Sequence, residues 1–487
     1  MRRIEYKYVV GITFVFGLFM DLLDLTITNV ALPTLQSDFH ASTPTIAWVI
    51  TGYLLSLAVF IPVSGWAGDR FGTKRVFMFA LATFTTFSLL CGLAWNVESL
   101  IAFRLLQGVG GGMLTPVGTA MLFRAFPPAE RARASALLSI PTVIAPASGP
   151  VVGGYLVEFQ SWRWIFWINV PIGIAGLVVA FLFLREEKQE HPGKLDVPGF
   201  ILSAVGMSTT VYALAEAGSR GFGDARVIGF GVGGLASLLL LAIVELRTAV
   251  PMIDVRLFRD KLFAAANTVQ IVSQAGLQGA LFLLPLLLQA ERGLSPLQSG
   301  LTTFPQAIGV MIMVQPAQRL YHRFGPQRMM MAGMIGASAT TFAFLAVDLE
   351  TSQWWIRLIM LARGASFALA FLPLQAATFA TIRPQDTGRA SAIFNSGRQL
   401  AASFGVALLA TVLTTRLAYH GSTLGGAPGT THGALLAFHD AFFVAGILAI
   451  FGIVASLLID DKRAASTMTP RKARAPQQRE REPVAAH

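Results

Sequence analysis

Charge is what this chain has least of. Asp, Glu, Lys and Arg make up 13% of its 487 residues, about half the share usual in soluble domains. Hydrophobic residues make up 54%, and the mean hydropathy is +0.62. An aqueous globule of that composition would have nowhere to place its apolar surface. Cysteine is nearly absent: Cys91 stands alone, which excludes a disulfide framework and a thiolate metal site. Histidine is scarce, and none of the seven falls in the middle of an apolar block. Neither an H-E-x-x-H helix nor a P-loop sequence occurs. The chain therefore does not read as an enzyme, and no cofactor or metal is expected. Without a nucleotide-binding segment, work done by this protein must draw on an ion gradient.

Long apolar blocks are what the sequence does have. A helix crossing a bilayer needs roughly 20 apolar residues, and blocks of that length recur from Tyr8 to Ile459. They predict an all-α polytopic membrane protein with about fourteen spans. The expected spans are 8–30, 44–66, 76–95, 99–122, 134–158, 163–184, 197–216, 226–246, 262–290, 296–318, 329–347, 354–380, 389–414 and 436–459. The basic start Met1-Arg2-Arg3 resembles a signal peptide. The apolar stretch behind it is long, holds Asp21 and Asp24 and lacks a small-residue cleavage site, so it reads as an uncleaved first span.

The net charge of +11 is explained by where the basic residues fall. With the amino terminus inside, clusters such as Arg2, Arg3 and Lys7, Arg70, Lys74 and Arg75, and Arg256, Arg259 and Lys261 all lie in cytoplasmic segments. This is the positive-inside pattern of an inner-membrane protein with both termini in the cytoplasm. The basic charge then faces anionic lipid, and no nucleic-acid partner is implied. Residues 461–487 are rich in Arg, Pro, Ala and Gln without apolar periodicity, and are expected to be a disordered basic cytoplasmic tail.

The two halves of the chain repeat each other. Arg70-Phe71-Gly72 recurs as Arg323-Phe324-Gly325, 253 positions on. Arg104 recurs as Arg363 at an offset of 259, and Arg133-Ala-Ser-Ala136 as Arg389-Ala-Ser-Ala392 at 256. That offset is too long for six spans and fits eight. The expected organisation is an N-terminal six-helix bundle (1–190), two inserted helices (191–255) and a C-terminal six-helix bundle (256–460). Parallel six-span repeats with a substrate site between them near the midplane describe the major facilitator architecture, here 6+2+6.

Specific motifs strengthen this. The stretch Gly65-Trp-Ala-Gly68-Asp69-Arg70-Phe71-Gly72-Thr73-Lys74-Arg75 resembles the superfamily's loop between spans 2 and 3. Arg104-Leu-Leu-Gln107-Gly108 is similar to its span 4 motif, and Gly149-Pro150-Val-Val-Gly153-Gly154 to the span 5 signature associated with antiporters. Leu23-Asp24-Leu-Thr26 through Pro33, and Trp162-Arg163-Trp164 through Asn169-Val-Pro171, resemble the fourteen-span drug:proton antiporters of the EmrB/QacA type. The second loop departs from the pattern, with His322 in place of an acidic residue and Gln318 in place of glycine.

Asp21 and Asp24 are carboxylates inside a core span, three residues apart and so on one helix face. An ionised carboxylate at that depth costs about 2.5–3.5 kcal/mol on insertion scales. It can therefore exchange protons near neutral pH. Two readings stand for Asp24: proton coupling, with Asp21 assisting or contacting cations, or a structural carboxylate paired with a buried Arg or hydroxyl. The resemblance puts Arg104 in the proton-relay neighbourhood; physically it needs a carboxylate or carbonyl partner. By the same resemblance Gly65, Asp69, Arg70, Gly72 and Arg75 form a gate latch. Gly149, Pro150, Gly153 and Gly154 allow a kink and close helix approach. Asn267, Gln270, Gln274 and Gln278 form a polar stripe in the ninth span, either lining the substrate cavity or bonding to neighbouring helices. Trp48 and Tyr53 are placed to stack on flat cations or to pack as interfacial or core aromatics.

The expected function is proton-driven, multidrug-type efflux of hydrophobic or amphipathic, mostly cationic compounds. The alternatives are a dedicated exporter of one metabolite, antibiotic or lipid and, from another class, a membrane-embedded enzyme or sensor. Expected partners are small drug-like substrates and the lipid bilayer, with the chain acting as a monomer. In a Gram-negative envelope a periplasmic adaptor and outer-membrane channel would join it, docking on the outer segment from Arg416 to His439.

Overall fold

The computed structural model describes residues 5–126, 131–188, 194–248, 251–383, 386–425 and 431–464. Inside helices the side chains of 131–143, Phe123, Ala147, Gly218, Ser219, His322, Gly388 and Thr431 also fall outside the description. The expected tail beyond residue 464, the side chains of the Arg133 repeat motif, His322 and part of the proposed docking segment therefore lie outside the described residues.

Among the described residues the fold is helical throughout. The helices are α1 (Tyr6–Asp38), α2 (Thr43–Phe71), α3 (Thr73–Gly92), α4 (Val97–Ala125), α5 (Arg131–Phe159), α6 (Trp164–Trp167), α7 (Asn169–Phe183), α8 (Val197–Arg220) and α9 (Ala225–Arg247). They continue as α10 (Lys261–Leu286), α11 (Pro296–Thr303), α12 (Pro305–Phe342), α13 (Gln353–Phe379), α14 (Thr387–Tyr419) and α15 (Thr431–Ser456). Thirteen segments are long and apolar enough to cross a membrane. The 29-residue α5 makes fourteen helices of spanning length.

Local sequence explains where these helices begin. Ser42 accepts the Thr45 N–H ahead of Pro44, and Asn96 and Ser99 form a reciprocal capping box at α4. Ser295 and Gln298 repeat that box at α11, and Asp260 accepts two N–H groups at α10. Each cap meets donors the helix cannot satisfy itself. Several helices overrun their apolar blocks. α1 continues past residue 30, through Pro33 to Asp38, because packing on neighbouring helices supports turns that hydropathy alone does not mark.

Two local backbone features recur at the sequence offset. Gly72, at φ 99°, breaks the chain between α2 and α3, and Gly325, at φ 77°, breaks α12 at the equivalent place. Both conformations favour glycine. The next helix start is capped alike in both halves. Lys74 N donates to Glu186 at 3.1 Å, and Gln327 N donates to Asp461 at 2.8 Å.

Five helix pairs join helices α1–α7 to helices α10–α15: α2 with α14, α5 with α11 and α12, and α1 with α10 and α11. At the end of the molecule away from Gly72, Glu158 accepts the Leu297 N–H at 3.0 Å and Gln289 donates to Val30 O at 2.9 Å. Along the α2–α14 seam, Ser403 Oγ donates to Thr51 O at 3.1 Å. The pair α8–α9 lies over this seam. Thr411 Oγ1 of α14 donates to Leu214 O at 2.9 Å, and Phe200 of α8 meets Phe60 of α2 edge-on at 5.7 Å. Only 17% of the apolar window of α9 is buried, against 89% for α2. The pair α8–α9 is thus peripheral, with α8 inward.

Candidate functional site

α1 passes through the middle of the first bundle, packed on α4, α5 and α7, and this carries Asp24 into a fully buried polar cluster. Arg104 Nη1 of α4 donates to Asp24 Oδ2 at 2.5 Å. Asp24 Oδ1 accepts from Gln107 Nε2 at 3.2 Å and from Asn169 Nδ2 of α7 at 3.3 Å. Arg104 also donates to Val49 O at 2.9 Å through Nε and to Gln107 Oε1 at 2.9 Å. Asn169 reaches Ser88 Oγ of α3 at 3.1 Å, and Ser88 donates to Phe166 O. Asp24, Gln107, Ser88 and Asn169 have no solvent exposure and Arg104 has 1%. Such an ion pair is stable at this depth only because hydrogen bonds satisfy both partners.

Asp21 faces elsewhere. Tyr53 donates its hydroxyl to Asp21 Oδ1 at 2.7 Å, and Thr115 Oγ1 donates to Oδ2 at 3.3 Å. The Tyr53 ring lies under the Arg104 guanidinium, 4.2 Å from its centroid. One tyrosine therefore touches both carboxylate systems. Arg398 of α14, in the second half, acts on Asp21 through its charge, and its buried Nε has no hydrogen-bond partner. The geometry offers two buried carboxyls linked through Tyr53, a cation paired with one of them and a second cation near the other, which suits proton or cation exchange.

The other residues singled out in the sequence fall in four places. Asp69 accepts from Arg124 Nη2 at 2.9 Å, while Arg75 lies 3.6 Å from Glu186; Arg70 and Gly65 are exposed. A Cβ at Gly72 would run into the Glu186 side chain, whereas one at Gly65 would meet nothing. In α5, Gly149 and Gly153 lie against Thr26 and Ile27 of α1. Gly154 and Pro150 face the other half, the former at the backbone of Pro296 and Leu297 and the latter at Gly300. Of the α10 stripe, Asn267 bonds back to Phe263 O at 2.8 Å, Gln278 is buried and Gln274 is half-buried. Gln270 is 1% exposed, and neither of its amide atoms has a partner. Trp48 sits against Tyr212 of α8 at 6.1 Å, and Tyr53 is fully buried.

Sequence reasoning missed the roles of Gln107, Asn169, Ser88 and Thr115. Gln107 and Asn169 stand inside motifs that were read, so the signal was present but unassigned. Ser88 and Thr115 carry no sequence signal that separates them from other helix hydroxyls. No cluster of His, Cys, Asp and Glu among the described residues could hold a metal ion.

Comparison with known proteins agrees with this architecture. Residues 14–406 match the Major Facilitator Superfamily. A multidrug resistance protein B homolog of Mycobacterium tuberculosis is 37% identical over 399 residues, 80% of this chain and 73% of that protein. A putative multidrug resistance protein, MdtD, of Salmonella typhi is 32% identical over 398 residues, 82% of this chain and 84% of its own length. Among solved structures, a D-xylose–proton symporter superposes with a TM-score of 0.66 at 14% identity, covering 93% of this chain and 97% of that one. At that identity it speaks for the fold alone. The chain belongs to the major facilitator superfamily, as a multi-pass membrane transporter whose sequence relatives include proteins named for multidrug resistance.

Proposed function

We propose that this protein is a proton-coupled exporter of hydrophobic and amphipathic, mainly cationic compounds, working by alternating access across the inner membrane. On this reading residues 1–190 and 256–460 are the moving bundles and 191–255 is the added pair, with both termini in the cytoplasm. The observation that carries it is the buried Asp24–Arg104 pair, bonded to Gln107 and Asn169 and linked by Tyr53 to Asp21. The multidrug-resistance names of the relatives support the substrate class.

A proton arriving on Asp24 removes the counter-ion of Arg104. The guanidinium keeps Val49 O and Gln107 but loses its charged partner, so the cluster has a second arrangement separated from the first by one proton. Because α1 packs on α5 and contacts α10, a shift of Asp24 reaches the seam between the halves. Asp21, almost one turn away and under the field of Arg398, is the carboxylate a cationic substrate would meet. Proton and substrate then compete for one negative region, which is the requirement for exchange.

Everted membrane vesicles containing the protein should take up a lipophilic cationic dye when a proton gradient is imposed, and lose the uptake with an uncoupler. Asp24→Asn should lower gradient-driven uptake at least about tenfold while leaving the protein folded. Uptake by that variant at the wild-type rate would remove Asp24 from the mechanism.

A further inference from the structure

The second bundle has its own buried arginine at the position equivalent to Arg104, and among the described residues it has no partner. Arg363 of α13 is 3% exposed. Among the described residues it makes no ion pair and no hydrogen bond, and no ionisable group acts on it, only its burial. It lines a narrow cleft between α10, α12, α13 and α15 with Ser273, Leu277, Thr341, Phe367 and Ala445. These are the counterparts of the helices that hold the Asp24 cluster.

The repeat explains what is missing. The offset of 253 that relates Arg70 to Arg323 carries Asp24 onto Leu277 and Ser88 onto Thr341. Both of those residues line the cleft. The second bundle thus keeps the cation and the hydroxyl of the first and replaces the carboxylate with leucine. A guanidinium with little access to water and no counter-ion is unfavourable, and its N–H donors face the cleft instead of a protein acceptor. Room of about 20 Å³ remains beside it, the size of one small polar group. Phe367, stacked on Phe371 at 5.4 Å, supplies a flat apolar wall at the same place.

We propose that the Arg363 cleft is an anion-binding site that receives the carboxylate of an amphipathic aromatic acid or zwitterion carried by this transporter, the ligand supplying the charge that Asp24 supplies in the first half. The carboxylate alone enters the cleft and pairs with the guanidinium, where bidentate geometry favours Arg over Lys, and the aromatic body extends out of it past the half-buried Phe367. This deepens the reading of the chain as an exporter of amphipaths and rests on it for the step of transport; binding itself does not.

Binding is tested first, on the purified full-length protein in detergent, with sodium benzoate as probe. Benzoate should raise the unfolding midpoint by roughly 2–4 °C, and the neutral isostere benzamide should not. Leu277→Asp gives Arg363 an internal partner and should abolish the benzoate shift, as should Arg363→Gln. Equal shifts with benzoate and benzamide, no shift with either, or a benzoate shift that survives Leu277→Asp would overturn the site. Chloride raising the midpoint as much as benzoate would reassign the cleft to a free inorganic anion and overturn the substrate role. Transport is tested second, in everted vesicles, with rhodamine B, which has a free carboxylate, and its ethyl ester, which does not. The ratio of acid to ester uptake should fall about tenfold in Leu277→Asp; an unchanged ratio would overturn the assignment to transported acids. If neither dye moves while benzoate still binds, the exporter reading fails and the site stands.

Discussion

A carboxylate and a guanidinium at the depth of Asp24 and Arg104 are stable only in each other's company. Deleting one leaves the other charged, buried and unpaired, which typically costs about 3–5 kcal/mol. Arg104→Met should therefore lower the unfolding midpoint of the purified protein markedly. The double variant Arg104→Met with Asp24→Leu should recover much of the loss, because removing both charges can be near neutral. A double variant as unstable as the single one would mean that the bonds of Arg104 to Val49 O and Gln107, and not the charge pair, hold this region. At Arg363 the same physics gives the opposite sign. That guanidinium has no partner to lose, so Arg363→Met should leave the midpoint unchanged or raise it.

These assignments also mark how far the sequence could be read. Asp24 and Arg104 stand out because charge inside an apolar block is expensive, and that expense is visible in one dimension. The identity of their partners is not. Which of the polar residues on α3, α4 and α7 reaches Asp24 depends on the azimuth of each helix, and hydropathy does not encode azimuth. Arg363 was visible as the repeat of Arg104, but its isolation emerges only when Leu277 is seen facing it.

At the scale of elements, glycines decide how closely helices approach. In α5 the two faces of the signature do different work: Gly149 and Gly153 fit α1 within one half, and Gly154 fits α11 across the seam. Gly405, 256 positions after Gly149, meets the backbone of Ala275 in α10, so the second bundle repeats the first-half contact. Replacing Gly153 should loosen α5 from α1 and lower stability. Gly154→Val should instead hold the halves apart at that end and reduce transport with a smaller loss of stability. The comparison is made by measuring dye uptake and unfolding midpoint on both variants; identical profiles would dissolve the distinction. The loop glycines are a separate matter. Gly72 has φ 99° and lies against Glu186, so Gly72→Ala should cost about 1–2 kcal/mol through backbone strain alone. The sequence showed the glycine motifs and their spacing; it could not show that one turn of α5 serves two different neighbours.

At the scale of the whole molecule the span count was legible, because apolar block length survives in one dimension. The position of α8–α9 was not. An offset near 256 excludes the pair from the repeat but leaves its docking place open, and the structure lays α8 on the α2–α14 seam through Thr411, Leu214, Phe60 and Phe200. The halves are joined at the end away from Gly72 by α5 with α11 and by Glu158 accepting the Leu297 N–H. Alternating access requires this contact to separate in each cycle. Cys91 is the only cysteine and is buried, so a pair introduced at Glu158→Cys and Leu297→Cys would react without interference from exposed thiols. Oxidation to a disulfide should arrest gradient-driven dye uptake, and a reductant should restore it. Each single variant should be indifferent to oxidant. Undiminished uptake by the cross-linked protein would mean that these ends stay together throughout transport, and that the opening lies elsewhere along the α2–α14 seam.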